Sequence, residues 1–259
     1  MTATTLPAPP GPLHRVLDRG IENYLDRMSD IKTNHKVLEI GAGIGSVTAR
    51  LAAQVGRYGA VTAVDRDVSH LTPTSVVDVH RRDLDRELLP GTAGGFDVVV
   101  ARWPHGALRD PADVLEQMIV RLRLDGWLVL ADVVASTPPR VYLAPDEESG
   151  NLIHTVLRQV HGIITGRDGG TWTADADALL LDNGLTQQCV HTTAETWTGG
   201  GDGCRLLADI VTYLRPALAG VTDADATRFT ALMADHRVLL RPWATRLIHA
   251  RKVSGDPGH

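Results

Sequence analysis

The segment Val37-Leu38-Glu39-Ile40-Gly41-Ala42-Gly43-Ile44-Gly45 constrains the fold of this chain more than any other. A short apolar run ends in an acidic residue and then in three glycines at alternate positions. The next stretch, Val47 to Val55, has helical spacing. Strand, tight glycine turn and helix in that order bring backbone N–H groups and a helix N-terminus to one point, the geometry that receives a nucleotide-like cofactor. Glycine there accepts positive φ and lets a ligand approach the backbone closely. Three glycines alone are a weak signal, so the residues downstream decide the reading.

Downstream lies a second β-like run, Ala60-Val61-Thr62-Ala63-Val64-Asp65, with a carboxylate at its end. It stands about 20 residues beyond the glycine turn, where an acid can accept hydrogen bonds from ribose hydroxyls. A third run, Val76 to Arg81, leads to Asp83-Leu84. A fourth, Phe96 to Ala101, leads to Arg102-Trp103. A fifth, Trp127 to Val134, comes after the turn Asp125-Gly126. Strands alternating with helical stretches predict an α/β fold with a parallel sheet and crossover helices.

With these motifs in order, the chain resembles the class I S-adenosylmethionine-dependent methyltransferases. The resemblance is carried by VLEIGAGIGSVTARL, VTAVDRD, RRDL, FDVVVAR and LRLDGWLVLADV, over residues 36 to 134. The tail, with LLADIVTYLRPAL, an acidic helix and RPWATRLIHARK as a last strand, is similar to the small-molecule, natural-product branch. The resemblance implies a Rossmann-like, seven-stranded, mostly parallel sheet with helices on both faces, the last strand antiparallel, and a helical substrate cap. It implies S-adenosyl-L-methionine as cofactor and S-adenosyl-L-homocysteine as product. Carried onto this sequence, the cofactor-binding set is Glu39, Gly41, Ala42, Gly43, Gly45, Asp65, Arg66, Asp83, Leu84 and Arg102. Glu39 falls near the methionine amine, Asp65 at the ribose and Asp83 at the adenine amino group. Nicotinamide binding is the competitor for a glycine turn, but such turns usually carry an apolar residue where Glu39 stands.

Residues 1–35 read as an N-terminal arm and lid helix, 36–135 as the cofactor-binding core, and 136–259 as cap segments plus the last strands of the same sheet. MTATTLPAPPGP is too rich in proline for a regular helix. His14 to Met28 alternates apolar and charged residues at helical spacing and, by resemblance, covers the cofactor cleft. The 259 residues suit one α/β domain with a modest insertion. A formal charge of −5 provides no basic field for nucleic acid. No charged-then-apolar leader and no apolar run of about 18 residues is present. The expectation is a cytoplasmic protein with a small-molecule substrate, without nucleic-acid or membrane partners, as a monomer or a homodimer. Cys189 reads as a packed core thiol and Cys204 as part of a Gly-rich turn; neither suggests a disulfide framework or metal clip.

Two departures from the family pattern stand out. After Asp65 only Arg66 to Ser75 is available for the crossover, interrupted by Pro73, so a single turn or a loop is expected. Arg66 then either lies over the base or is solvated. After the fourth strand, ARWPHGALRDP carries Gly106 and Ala107 where relatives carry a His-His pair.

Methyl transfer is an in-line displacement that alignment and water exclusion largely accomplish. A hydroxyl or acidic carbon acceptor also needs a base. The candidates are His105, Asp132 and His154. His105 is either a base or a loop histidine. Asp132, in an apolar strand, is either a base or a structural acid bonded to loop N–H groups. His154 and His161, seven apart, share a helix face at a spacing too long for a metal pair. Tyr24, Trp103 and Trp197 are candidate substrate contacts; Trp172 and Trp197 line a pocket or anchor packing, and Gly199-Gly200-Gly201 is a hinge or a turn. No metal is expected. The expected activity is methyl transfer to an O, N or C acceptor of a small, apolar specialised metabolite. The alternative is a non-methylating cyclisation or rearrangement on the same fold, a reading kept alive by the altered ARWPHGAL segment.

Overall fold

The computed structural model describes residues 16, 20, 21, 23–25, 31–102, 108–165 and 171–253, with backbone alone at 187 and 188. It divides into two compact units. The first contains residues 20–133, 171–192 and 245–259. It is built on a seven-stranded sheet. The strands are β1 (Lys36–Ile40), β2 (Ala60–Asp65), β3 (Val77–Arg81), β4 (Phe96–Arg102), β5 (Leu122–Val134), β7 (Leu185–Thr193) and β10 (Ala244–Lys252). Their order is β3-β2-β1-β4-β5-β10-β7. The pairs β1–β2, β1–β4, β2–β3 and β4–β5 are parallel. The Rossmann-like sheet expected from the sequence is the observed one.

Strand side chains alternate between faces, so neighbouring residues fall into two cores. Leu38, Ile40, Val99, Ala101, Leu128 and Leu130 pack on one face with Val114, Leu115 and Met118 of α2 (Pro111–Arg121) and Leu180 of α4 (Trp172–Asp182). Val37, Val98, Val100, Val129 and Ala131 pack on the other with Leu51 and Val55 of α1 (Ser46–Val55), and with Ile21 and Leu25. Helix α1 buries Val47, Thr48, Leu51 and Val55 as one stripe, which holds β1 and β2 as a parallel pair. Asp110 caps α2 through Asp113 N–H, with Pro111 at its first position.

Residues 66–76, all described, contain no helix. The short crossover predicted from Pro73 is a loop whose polar backbone is satisfied locally. Asp67 Oδ1 accepts from Ser69 N–H, and Thr74 Oγ1 accepts from the N–H groups of Val76 and Val77. The fifth strand starts earlier than the sequence suggested, because a register shift accommodates Arg123 to Gly126 between the pairings Phe96–Leu122 and Val98–Trp127.

The second unit contains residues 134–170 and 193–244 together with the first nineteen. Its helices are α3 (Glu147–Thr165), α5 (Asp202–Leu214) and α6 (Asp223–Met233), and a short 3-10 turn spans Arg215–Ala217. The sequence reading gave this region a helical cap, with a last strand starting near Arg241. The structure adds a three-stranded sheet, β6 (Arg140–Leu143), β9 (Leu239–Arg241) and β8 (Trp197–Thr198). These strands are too short to show an alternating pattern. Gly199-Gly200-Gly201 is a turn with every N–H bonded, to Val238, Met233 and Thr198 carbonyls.

Two cysteine expectations are corrected. Cys204 lies in α5 and is fully buried, which raises its thiol to about 11. Cys189 is half-buried, with Sγ 3.5 Å from His191 Nε2. Helix α5 begins immediately after the glycines and turns Cys204 inward, whereas Cys189 lies on the strand at the end of the sheet order, with no further neighbouring strand among the described residues.

Within the second unit, His161 Nδ1 accepts from Trp243 Nε1 at 3.0 Å, and burial lowers its pKa. The folded state favours neutral imidazole. Its stabilisation is therefore present above the unfolded pKa, near 6.5, and is lost as pH falls towards the lower folded value. Thermal unfolding measured from about pH 7.5 to about pH 5.5 should show a steeper loss of Tm for the wild type than for His161→Gln. Parallel slopes would contradict this.

Candidate active site

The carboxyl ends of the parallel strands gather the predicted cofactor residues. Glu39 on β1 has no exposed surface. Its Oε2 accepts from Thr48 Oγ1 at 2.6 Å, and its Oε1 lies 3.4 Å from Arg102 Nη2. Arg102, at the end of β4, also donates from Nη2 to the Gly41 carbonyl at 2.5 Å. A buried carboxylate is tolerable when paired and hydrogen-bonded in this way. Gly41 sits at φ +76, and a Cβ there would lie 2.8 Å from the Arg102 carbonyl. Gly41 and Ala42 N–H donate to the Val64 carbonyl at 2.9 and 3.2 Å, which ties the turn to β2. Gly45 is the N-cap of α1 at φ +83, and Leu71 of the crossover loop packs on it so closely that a Cβ would be 2.8 Å from its Cδ2.

Asp65 ends β2 half-buried. Its Oδ2 accepts Gly43 N–H at 2.8 Å and its Oδ1 accepts Asp67 N–H at 3.0 Å. Each carboxylate oxygen has a second lone pair for a ligand hydroxyl. Arg66 is partly exposed but not isolated: Nη2 donates to Asp83 Oδ1 at 2.9 Å and to Asp85 Oδ2 at 3.3 Å. Leu84 packs against the core under the sheet. These groups fit S-adenosylmethionine chemically: the carboxylates would accept from the ribose diol and the adenine amino group, the glycine turn allows close approach, and a helix N-terminus comes directly after it.

Of the expected catalytic and substrate residues, Asp132 and Tyr24 belong to the first unit and His154 and Trp197 to the second. Asp132 is 5% exposed. Its Oδ2 accepts from Trp172 Nε1 at 2.5 Å and its Oδ1 from Val133 N–H at 2.8 Å. Trp172 is a packing anchor in the core. Tyr24 is hydrogen-bonded with His249 Nδ1 and meets the His191 ring edge-on at 5.2 Å. Trp197 is half-buried, and its ring lies against Gly203 of α5, where a Cβ would be 2.1 Å away. His154 is exposed on α3. His105 and Trp103 lie outside the described residues. No group of three or more potential metal-ligating His, Cys, Asp or Glu occurs among the described residues. The sequence reading missed Thr48, Leu71 and Asp85. Thr48 was detectable as a polar side chain on the buried stripe of α1; Leu71 had no local signal.

Residues 13–178 match the methyltransferase domain family, and the chain belongs to it: it is a class I S-adenosylmethionine-dependent methyltransferase. Three solved structures share the fold. The YcgJ protein of Bacillus subtilis is 15% identical with a TM-score of 0.57, over 92% of this chain and 100% of that one. A protein assigned as a methyltransferase of an antibiotic biosynthesis pathway, from Anabaena variabilis ATCC 29413, is 14% identical with a TM-score of 0.60, over 90% and 96%. A geranyl diphosphate methyltransferase solved with S-adenosylmethionine is 15% identical with a TM-score of 0.51, over 93% and 87%. Ribosomal RNA large subunit methyltransferase E of Myxococcus xanthus (strain DK1622) is 35% identical over 86 residues. That match spans 31% of this chain and 40% of the relative.

Replacing Asp65 with Ala should weaken S-adenosylmethionine binding by about 1.5–3 kcal/mol through lost charge-assisted hydrogen bonds. Calorimetric titration reads this directly, and an unchanged Kd would remove Asp65 from the site.

Proposed function

We propose that this methyltransferase alkylates an oxygen, nitrogen or carbon atom of a small, largely apolar metabolite in the cytoplasm. Glu39, Gly41, Ala42, Gly43, Gly45, Asp65, Arg66, Asp83, Leu84 and Arg102 form its cofactor site. The observation that carries the cofactor assignment is the Asp65 carboxylate bonded to Gly43 N–H, which joins the expected ribose acid to the glycine turn. The net charge of −5 favours a small acceptor over a polyanion. In this reading the segments near 140–175 and 195–235 supply acceptor recognition. The geranyl diphosphate and antibiotic-pathway proteins of similar fold support a small-molecule acceptor by analogy.

S-adenosylmethionine, when bound, supplies a methyl group on a sulfonium centre whose departing sulfide needs no proton. The chain's residues then hold the acceptor in line, exclude water and, for a hydroxyl or acidic carbon, take up a proton. Asp132 is buried and bonded to Trp172 and Val133, and His154 stands exposed; His105, which follows β4 in the sequence, is the first candidate base. His105→Ala should slow turnover while leaving cofactor Kd nearly unchanged; equal turnover would return His105 to an ordinary loop residue.

The match to the ribosomal RNA enzyme favours a second reading, an RNA acceptor. Mass spectrometry after incubation with a metabolite panel and, separately, with ribosomal RNA decides between them. One added methyl on a small acceptor is expected. Methylated RNA would replace this reading with the second, and an isomerised small product of unchanged mass would show a rearrangement.

A further inference from the structure

We infer that Asp85 is a positioning residue that sets the site's preference for an adenine base by keeping Arg66 from fully capturing Asp83. The inference rests on the cofactor reading above and concerns a residue that the glycine-turn motif does not include.

Two segments meet on the Asp85 carboxylate, and its backbone makes a third contact. Its Oδ1 accepts the Arg109 N–H at 2.7 Å, on the stretch that leads to α2. Its Oδ2 accepts from Arg66 Nη2 at 3.3 Å, just past β2. Its own N–H donates to Asp83 Oδ1 at 3.3 Å, in the turn after β3. Asp85 is the most enclosed of the trio: its side chain is 18% exposed, against 36% for Asp83 and 38% for Arg66.

The sharing of one guanidinium nitrogen is the decisive detail. Arg66 Nη2 lies 2.9 Å from Asp83 Oδ1 and 3.3 Å from Asp85 Oδ2. A guanidinium offered a single carboxylate prefers a two-bond fork on it. Here the second carboxylate holds the guanidinium across both acids. Asp83 Oδ2 meets Arg86 Nε at 3.8 Å, beyond hydrogen-bond length, on an Arg side chain that is 81% exposed. Asp83 thereby keeps an accepting edge for a donor. The 6-amino group of adenine is such a donor, whereas a 6-oxo purine presents an acceptor there, which Asp83 repels and Arg66 attracts. Without the Asp85 charge, Arg66 closes on both oxygens of Asp83 and the preference falls.

Calorimetric Kd values for S-adenosylhomocysteine and its 6-oxo analogue, S-inosylhomocysteine, test this in the wild type, Asp85→Asn, Arg66→Gln and the double variant. Asn retains an oxygen for the Arg109 N–H. The wild type should prefer the adenosyl ligand. Asp85→Asn should reduce that preference roughly tenfold, the scale of one hydrogen bond to a charged group. Adding Arg66→Gln should restore it, which a merely structural role for Asp85 would not produce. Unchanged preference in Asp85→Asn, or no restoration in the double variant, overturns the inference. If Asp85→Asn fails to fold, Arg66→Gln alone decides: it should hold the preference at or above wild type, and a fall would overturn the inference. Wild-type protein that binds neither ligand overturns the cofactor reading and this inference together, whereas binding without a change in preference overturns this inference alone.

Discussion

The fully buried Glu39 carboxylate is the interaction on which the cofactor edge depends. It binds the first turn of α1 through Thr48 and the end of β4 through Arg102, and Arg102 in turn holds the Gly41 carbonyl. Strand, turn, helix and neighbouring strand are thus fixed by two charged side chains. Removing one partner of such a pair costs about 3–5 kcal/mol, because the other charge is left buried. The pair is therefore a buried condition of the turn's geometry.

From that junction the site extends by backbone contacts. Gly41 and Ala42 N–H reach the Val64 carbonyl, and Gly43 N–H reaches the Asp65 carboxylate. The crossover after β2 has lost the helix expected from the family pattern, and Leu71 packs over Gly45 from that loop. Arg66, fixed on Asp83 and Asp85, occupies the remaining span. A shortened connection has thus been answered by an apolar contact on the glycine turn and an ionic one between the two loop acids.

Much of this was legible in the chain. The five ordered strands and their terminal acids showed because each is a short apolar run closed by a carboxylate or a turn, and strands of a parallel sheet buried on both faces read as continuous apolar segments. The short crossover was legible from Pro73. The features that failed to show depend on partners distant in sequence. Asp132 is paired with Trp172, forty positions on, and its strand reads the same whether that acid is catalytic or structural. Strand β8 has two residues and gains its register from β9 across the chain. Cys189 and Cys204 depart from their expected environments because burial depends on the packing of β7 and α5, and the local apolarity of their segments misleads.

Isothermal titration of the purified protein with S-adenosylmethionine and, separately, with NAD tests the central claim most directly. Micromolar binding of S-adenosylmethionine with no heat from NAD is the predicted result. Binding of NAD alone would mean that Glu39, Asp65 and Asp83 had been read for the wrong cofactor, and would contradict the account.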